Sequence, residues 1–594
     1  MIAVIVLTPA ALATGRRLRE ALPGARLHGL AGRVEGADIA FSDAAEHVRS
    51  LFLAGTPVVG VCAAGILIRA LAPLLADKRA EPPVLAVAPD GSAAVPLLGG
   101  HHGANSLARQ AAAILDCPAS ITTAGDLALG CALDEPPPGW RMANPEAAKP
   151  VAATLLAGEA VRLEVEAGDA AWLGGLVFAE ESRWAVRVTD HAVEPDDGEL
   201  VLHPPVLALG VGCERDTPPE DLAHLVSEAL DGMALSPQAV ACVASLDLKA
   251  DEPAVHALAA ALKVPARFFT AAELEREHPR LSTPSDLVFR ETGCHGVAEG
   301  AALAAAGPGS ALILPKRKGA RCTVAVARAA SGIDPLAVGR ARGHLSVVGI
   351  GPGAEAWRTP EAGAAVAAAT DLVGYGMYLD LLGPAAAGKR RHESGLGAEA
   401  DRARMALDLA AEGRNVALIC SGDAGIYALA TLVFELMDRE RRPEWLRLDV
   451  AVMPGVSALQ AAAARAGAPV NHDFCTISLS DLLTPWPTIE RRLQAAAEAD
   501  FVVCFYNPVS QRRRDQLARA RDILLTGRPA ETPVVLARQL GRPGETVEVI
   551  ALGDLAPERA DMLTMVVVGN SETRHFTAAG RQRVYTPRGY AKKL

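Results

Sequence analysis

Three glycines and an alanine, Gly349-x-Gly351-x-Gly353-Ala354, close the run His344-Leu-Ser-Val-Val-Gly-Ile-Gly-Pro-Gly353. A loop stripped of side chains lets a ligand approach bare backbone, and the spacing matches the dinucleotide fingerprint of a Rossmann turn. In that turn the helix starts within the glycines, so that its N-terminus meets a pyrophosphate. Here Pro352 sits inside the loop, and the next helix is expected at the cap Thr359-Pro360-Glu361. The loop therefore suits a ligand lying flat on the backbone better than a diphosphate. A plain structural turn is the alternative.

Three further strands empty into loops of small residues. Asn415-Val-Ala-Leu-Ile-Cys420 runs into Ser421-Gly422-Asp423-Ala424-Gly425-Ile426-Tyr427. Leu448 to Met453 runs into Pro454-Gly455-Val456-Ser457-Ala458, and Phe501 to Phe505 into Tyr506-Asn507-Pro508. In an open α/β sheet such strand ends wall the ligand crevice. Any one of them alone is more often an ordinary turn.

The front half carries sparser chemistry. Leu97-Leu-Gly-Gly-His101-His102-Gly103-Ala104-Asn105 sets two imidazoles among small residues after a strand. Without partners at metal-ligand spacing, these read equally as solvated histidines before a helix. Ser245-Leu-Asp247-Leu-Lys249-Ala-Asp251-Glu252 and Leu314-Pro315-Lys316-Arg317-Lys318 are charge runs. Such runs are usually solvated faces, yet cations beside a cleft could also grip carboxylates.

The elements that must position these residues follow one grammar. Short β-branched runs alternate with Ala/Leu/Arg-rich helical stretches, which predicts an α/β, multidomain chain with parallel or mixed sheets covered by helices. At roughly 150 residues per domain, 594 residues suggest about four units. Residues 1–130 form the first, ending at Asp134-Glu-Pro-Pro-Pro-Gly139; 131–204 are a looser middle, and 205–330 a third block opening on the strand Val206-Leu-Ala-Leu-Gly210. Residues 331–343 read as a linker, and 344–594 as a last block with two subdomains split near 456–470. The N-terminal Met-Ile-Ala-Val-Ile-Val-Leu lacks a basic region and reads as a strand before a helix cap at Thr8-Pro9, not as a signal peptide. Ser50 to Ile68 carries no charge over a span long enough to cross a bilayer. Its Gly55, Pro57, Gly60 and Gly65 divide it into a turn, the strand Val58–Cys62 and a helix start, so no membrane span is expected. A net charge of −11 with mixed signs gives no footprint for nucleic acid. Ten cysteines without a CxxC pair read as reduced cytoplasmic thiols, with no metal site.

Taken in this order, the four strand-and-loop segments identify a family. From His344 to about Tyr585 the chain resembles the tetrapyrrole methylases, and Asn471-His-Asp-Phe-Cys-Thr-Ile-Ser-Leu-Ser-Asp-Leu-Leu-Thr-Pro-Trp-Pro487 resembles the precorrin-3B C17-methyltransferase branch. The resemblance implies a C-terminal two-domain methylase fold, with S-adenosyl-L-methionine folded into the cleft between its domains and a homodimer formed through this half. It places cofactor contacts on Gly351, Pro352, Gly353, Ser421, Gly422, Asp423, Ile426, Ser457, Ala458, Asn507 and Gly541. Ala424 stands where the wider family has a proline, and the loop Arg538-Gln-Leu-Gly-Arg-Pro-Gly544 is longer than in relatives. The implied reaction is methylation at C17 of precorrin-3B, or of cobalt-factor III, coupled to ring contraction. A sulfonium methyl is already electrophilic, so positioning supplies most of the rate. Asp423, His472 and Asp473 are candidates to move protons; a loop residue capping backbone is the alternative for His472.

Residues 1–330 resemble the cobalt-precorrin-5A hydrolase family (cobalamin biosynthesis G). The matching pieces are Val59-Gly-Val-Cys-Ala-Ala-Gly-Ile, Leu71 to Lys78, the His101 segment, Ile121-Thr-Thr-Ala, Gly210-Val-Gly-Cys213-Glu-Arg215, Ser245 to Glu252, Gly293-Cys-His-Gly-Val-Ala-Glu299 and Pro315-Lys-Arg-Lys318. The resemblance implies opening of a lactone ring with release of acetaldehyde. Such chemistry needs a base and stabilisation of oxyanion charge, roles open to His101 or His102 and to Lys249. Residues 206–330 also resemble a small companion protein of the oxygen-dependent pathway, so a non-catalytic corrinoid-binding module is the alternative for the front half. The expected partner throughout is a tetrapyrrole.

Overall fold

The computed structural model describes residues 2–75, 81–100, 103–122, 131–395, 397–510 and 513–590. Contacts divide the chain into two compact units, Met1–Gly343 and His344–Leu594.

The front unit contains three sheets. The first has six strands in the order Ile39–Phe41, Ala25–Leu30, Ile2–Val6, Val58–Val61, Val84–Val87 and Ala94–Leu98, parallel except for the last. Its inner strands Val58–Val61 and Val84–Val87 are buried at every position, which is why they read as unbroken apolar runs. After Ile2–Val6 the chain departs from the predicted cap. Thr8 makes no side-chain cap, and a 3₁₀ turn, Pro9–Ala11, precedes the helix Leu12–Ala21, because the Ala11 N–H bonds the Thr8 carbonyl instead. A second sheet of four strands spans Arg141–Met142, Arg162–Val165, Ala185–Val188 and Glu199–His203. The third places Ala266–Phe269, Val240–Leu246 and Leu207–Cys213 side by side in parallel and completes the sheet with Cys322–Arg328 and Ala311–Lys318 antiparallel. Across it lies the helix Val297–Ala306, so close that a Cβ on Gly210 would fall 1.9 Å from the Ala298 carbonyl oxygen.

The back unit begins with a five-stranded, wholly parallel sheet ordered Arg390–Ser394, Asp371–Tyr375, Asn415–Cys420, His344–Gly349 and Asp449–Met453. His344–Gly349 lies between Asn415–Cys420 and Asp449–Met453 and is buried from Leu345 onward. As the sequence predicts, Thr359 caps the helix Pro360–Ala368, its hydroxyl accepting from the Ala362 N–H and donating to the Pro454 carbonyl. A mixed sheet follows, ordered Phe474–Ser478, Val502–Tyr506, Thr564–Val568, Pro533–Arg538 and Thr546–Ala551. The pair Arg574–Ala578 and Arg581–Tyr585, joined by Gly467–Ala468, makes a small third sheet. Among the described residues no helix is long and apolar enough to cross a membrane.

What fixes the edge of the parallel sheet is backbone meeting backbone. Gly351 and Gly422, both at positive φ (79° and 70°), exchange two N–H···O bonds of 3.1 and 2.9 Å, joining the loops after two neighbouring strands. The third loop arrives through Gly455, where a Cβ would lie 2.2 Å from the Gly422 oxygen and 2.7 Å from that of Gly349. No rotamer escapes a clash with rigid backbone. Gly455→Ala should therefore destabilise the back unit by on the order of 3 kcal/mol. Differential scanning calorimetry of the full chain should show that unit's transition falling while the front unit's holds; an unchanged profile would mean the loops can part.

Candidate functional site

The four strand-end loops of the back unit do converge. A cavity of about 140 Å³ is lined by Pro352, Tyr378, Ser421, Ala458, Tyr506, Asn507, Gln539, Leu540, Arg542 and Met562 through Met565. Of the residues assigned to the cofactor from sequence, Pro352, Ser421, Ala458 and Asn507 line it. Gly351 and Gly422 form the bridge behind it. Gly353 and Gly541 close its side: Gly353 lies against the Leu540 carbonyl and the Arg542 stem, and Gly541 against Ala354 and Trp357. Glu545 holds Gly541 in place by accepting its N–H at 2.6 Å, and Arg465 in turn grips Glu545.

The remaining predicted residues stand behind the lining. Both oxygens of Asp423 are engaged by backbone, Oδ1 by the Gly425 N–H at 2.8 Å and Oδ2 by the Gly455 N–H at 3.0 Å. It thus closes its own turn and ties it to the third loop. Ser457 is buried as the N-cap of the helix Ala458–Ala466, its hydroxyl and the Gln460 amide forming a capping box. Ile426 is half-buried and outside the lining. The His472 Nδ1 accepts the N–H of Asp473 at 2.8 Å on the surface, so this imidazole caps backbone and lies outside the cavity lining.

Sequence reasoning missed several lining groups. Tyr506 opens the loop Tyr506-Asn507-Pro508 but was given no role there, and Tyr378 follows the strand Asp371–Tyr375, which was not singled out; burial raises both phenols, Tyr506 to about 12. Both stay neutral at physiological pH. Arg542 sat unremarked in the long loop 538–544; its Nε donates to the Pro352 carbonyl at 2.8 Å and its Nη2 to the Ser421 hydroxyl at 3.2 Å. A wider recess of about 490 Å³, lined by Val509, Ser510, Arg514, Pro557, Glu558 and Ala560 through Leu563, shares Met562 and Leu563 with the cavity.

In the front unit His101 and His102 lie outside the described residues; the helix Ala104–Leu115 starts directly after Gly103. Lys249 follows the C-terminal end of Val240–Leu246 and is committed to a carboxylate: its Nζ is 3.6 Å from Glu252, whose side chain is 1% exposed and also faces Arg215 at 3.7 Å. Arg215 is anchored further by Asp251 at 2.7 Å. Glu299 is equally buried but fully used, accepting from Ser282, Thr283 and the Lys316 N–H, which ties the basic run 315–318 to the body of the unit. Lys316 and Arg317 donate to the Thr283 and Glu228 carbonyls.

A group missed from sequence lies past the end of the neighbouring strand Ala266–Phe269. Glu275 Oε1 meets the Nδ1 atoms of His295 at 2.8 Å and His278 at 3.2 Å, while Oε2 accepts the His295 N–H. Three such side chains within ligand distance could hold a metal ion. The two imidazoles, however, stack at 4.0 Å with 14° between planes, so their in-plane lone pairs run side by side rather than converge. The arrangement favours a carboxylate orienting an imidazole, as a base requires. Its sequence signal was Cys294-His295 inside the recognised segment 293–299, and only folding brings Glu275 to it.

Comparison with known proteins bears on both halves. The family model of the tetrapyrrole (corrin/porphyrin) methylases matches residues 344–556, that of the cobalamin synthesis G C-terminus residues 207–327, and that of the cobalamin synthesis G N-terminus residues 46–126. The probable cobalt-factor III C(17)-methyltransferase of Salmonella typhimurium is 48% identical over 246 residues, 41% of this chain and 99% of that protein. The precorrin-3B C(17)-methyltransferase of a Sinorhizobium species is 46% identical over 250 residues, covering 42% and 98%. Among solved structures, the methyltransferase CobJ matches with 43% identity and a TM-score of 0.39, over 41% of this chain and 100% of that one. Through residues 344 onward, this chain belongs to the tetrapyrrole (corrin/porphyrin) methylase family.

Proposed function

We propose that the back unit transfers a methyl group from S-adenosyl-L-methionine to C17 of precorrin-3B or cobalt-factor III, with contraction of the macrocycle. The observation that carries this reading is the convergence of four strand-end loops on one cavity through bare glycine backbone. Glycine behind the lining lets the loops approach one another that closely. Pro352, Ser421, Ala458 and Asn507 meet the donor, Gly351, Gly353, Gly422 and Gly541 supply the backbone that supports them, Ile426 flanks the loop of Asp423, and Ser457 presents the helix N-terminus behind Ala458. The donor supplies an activated methyl; the chain supplies orientation and exclusion of water. Asp423 acts by holding two loops in register. Proton movement during contraction falls to groups around the cavity, with His472 too far committed to its own backbone to be first choice. The relatives' names support the substrate assignment. The protein works in the cytoplasm as a homodimer formed through the back unit, whose two subdomains divide near residues 456–470.

The front unit, built from segments 1–130, 131–204 and 205–330, acts on a later lactone-bearing intermediate of the same macrocycle as a hydrolase. The two cobalamin synthesis G matches support this. Its base is the His295 imidazole oriented by Glu275, or one of His101 and His102; Lys249, with Arg215, offsets the buried Glu252 and any oxyanion beside it.

Incubation of the full chain with S-adenosyl-L-methionine and precorrin-3B or cobalt-factor III should give a product one methyl group heavier by mass spectrometry; recovery of unmodified substrate from both would reject the assignment. Asp423→Ala should weaken S-adenosylhomocysteine binding at least about tenfold by calorimetry, since two hydrogen bonds to a charged acceptor that tie the loops together are lost. Equal affinity would show that the loops do not need their tie. For the front unit, His295→Ala should cut acetaldehyde release from cobalt-precorrin-5A about a hundredfold, and an unaltered rate would transfer the role to His101 or His102.

A further inference from the structure

Arg542 is the one charged side chain among the described residues lining the back cavity. Its guanidinium is half-buried, and every partner it has is neutral: the Pro352 carbonyl at 2.8 Å, the Ser421 hydroxyl at 3.2 Å and, weakly, the Met377 sulfur at 3.5 Å. Other arginines of this unit meet carboxylates, Arg414 on Asp371 at 3.1 Å, Arg465 on Glu545 at 2.6 Å and Arg404 on Glu440 at 2.7 Å, while the buried Arg402 is enclosed by the Ser394 hydroxyl and the Ser394 and Gly395 carbonyls and lies outside the cavity lining. A guanidinium carries five N–H donors in a fixed fork. Here two are spent on oxygen and one rests on a thioether, which leaves part of the fork facing the cavity. Burial without a counter-ion lowers its pKa, the mark of a cation that pays for its position. An arginine placed so, beside two neutral phenols and an asparagine, awaits an anion.

We propose that Arg542 is the receptor for a carboxylate of a bound ligand, an inference that rests on the methyl-donor reading of this cavity. A planar fork and a carboxylate match in a bidentate pair, a geometry that lysine does not reproduce. Two ligands of the proposed reaction carry that group: the amino-acid end of the methyl donor and the acidic side chains of the tetrapyrrole. Because Arg542 touches the loops of both Pro352 and Ser421, its pairing also fixes the relation between the glycine loop and the loop of Asp423 when the ligand arrives.

Calorimetry on the full chain separates the sources. Titrations of wild type and Arg542→Gln with S-adenosylhomocysteine, which has the carboxylate, and with methylthioadenosine, which lacks it, are paired with KM for the tetrapyrrole. If the donor's carboxylate is the partner, Arg542→Gln loses about tenfold or more for S-adenosylhomocysteine and nothing for methylthioadenosine. If the tetrapyrrole's is, both nucleosides bind as before and KM rises by a similar factor. Equal weakening of both nucleosides would reduce Arg542 to a brace between loops and overturn the proposal, as would no change in any of the three. Arg542→Lys keeps the charge without the fork and should show the same selectivity with a smaller loss, so the test survives if the glutamine variant fails to fold. A wild-type chain that bound neither nucleoside would sink the donor reading itself, and this proposal with it.

Discussion

Three loops of the back unit touch where none of them has a side chain. Gly349, Gly422 and Gly455 follow three adjacent parallel strands, and their carbonyls and N–H groups lie within van der Waals reach of positions a Cβ would occupy. Everything at the site depends on that contact. It brings the Gly351–Gly422 bridge into register, sets Asp423 where it can accept from the Gly455 N–H, and aims the N-terminus of the helix Ala458–Ala466 at the same point. Parallel strands present their C-terminal edges together, but loops leaving such an edge normally diverge. Here they are drawn together, because glycine is the residue that lets backbone hydrogen-bond backbone at this distance and at positive φ.

Charge is distributed by the same economy of buried groups. In the back unit two acidic side chains beside the site are consumed by structure, Asp423 by two loops and Glu545 by Gly541 and Arg465, and at the opposite edge of the parallel sheet Asp371 is held by His392, Arg390 and Arg414. Asp371 is driven to about 2 although burial alone would raise it, since hydrogen bonds from His392, Thr370 and Arg414 outweigh the desolvation. The cavity is thereby left with neutral phenols and one guanidinium, an environment that attracts anionic groups. The front unit reverses the pattern. Its strand ends gather carboxylates, with Glu252 buried between Lys249 and Arg215 and Glu275 between two imidazoles.

How much of this could be read from the chain depends on how local the signal was. The strands Asn415–Cys420 and His344–Gly349 were legible because a strand buried on both faces must be apolar throughout. The cap at Thr359 was legible because threonine followed by proline satisfies and pre-shapes a helix start within four residues. Thr8-Pro9 has the same letters and a different outcome, since a 3₁₀ turn took the first hydrogen bond. Ser457 was expected to contact the donor and caps the helix Ala458–Ala466 in the fold; a serine before a helix looks alike in either role. Arg542 escaped notice because nothing in its own loop marks it; its meaning lies in Pro352 and Ser421, 190 and 121 residues away. Glu275 and His295 are 20 residues apart and were missed for the same reason.

By itself, the order of residues determined the class of fold, the family of the back half and the loops that would carry its chemistry, since period, punctuation and glycine placement act over a few neighbours. The tertiary structure decided which of those residues line the cavity and which hold the loops that do. That both oxygens of Asp423 meet backbone N–H groups, of Gly425 and Gly455, became visible only in the fold. The reason is physical: a side chain's role is set by the partners that satisfy its polar atoms, and those partners are assigned by packing between strands far apart in the chain.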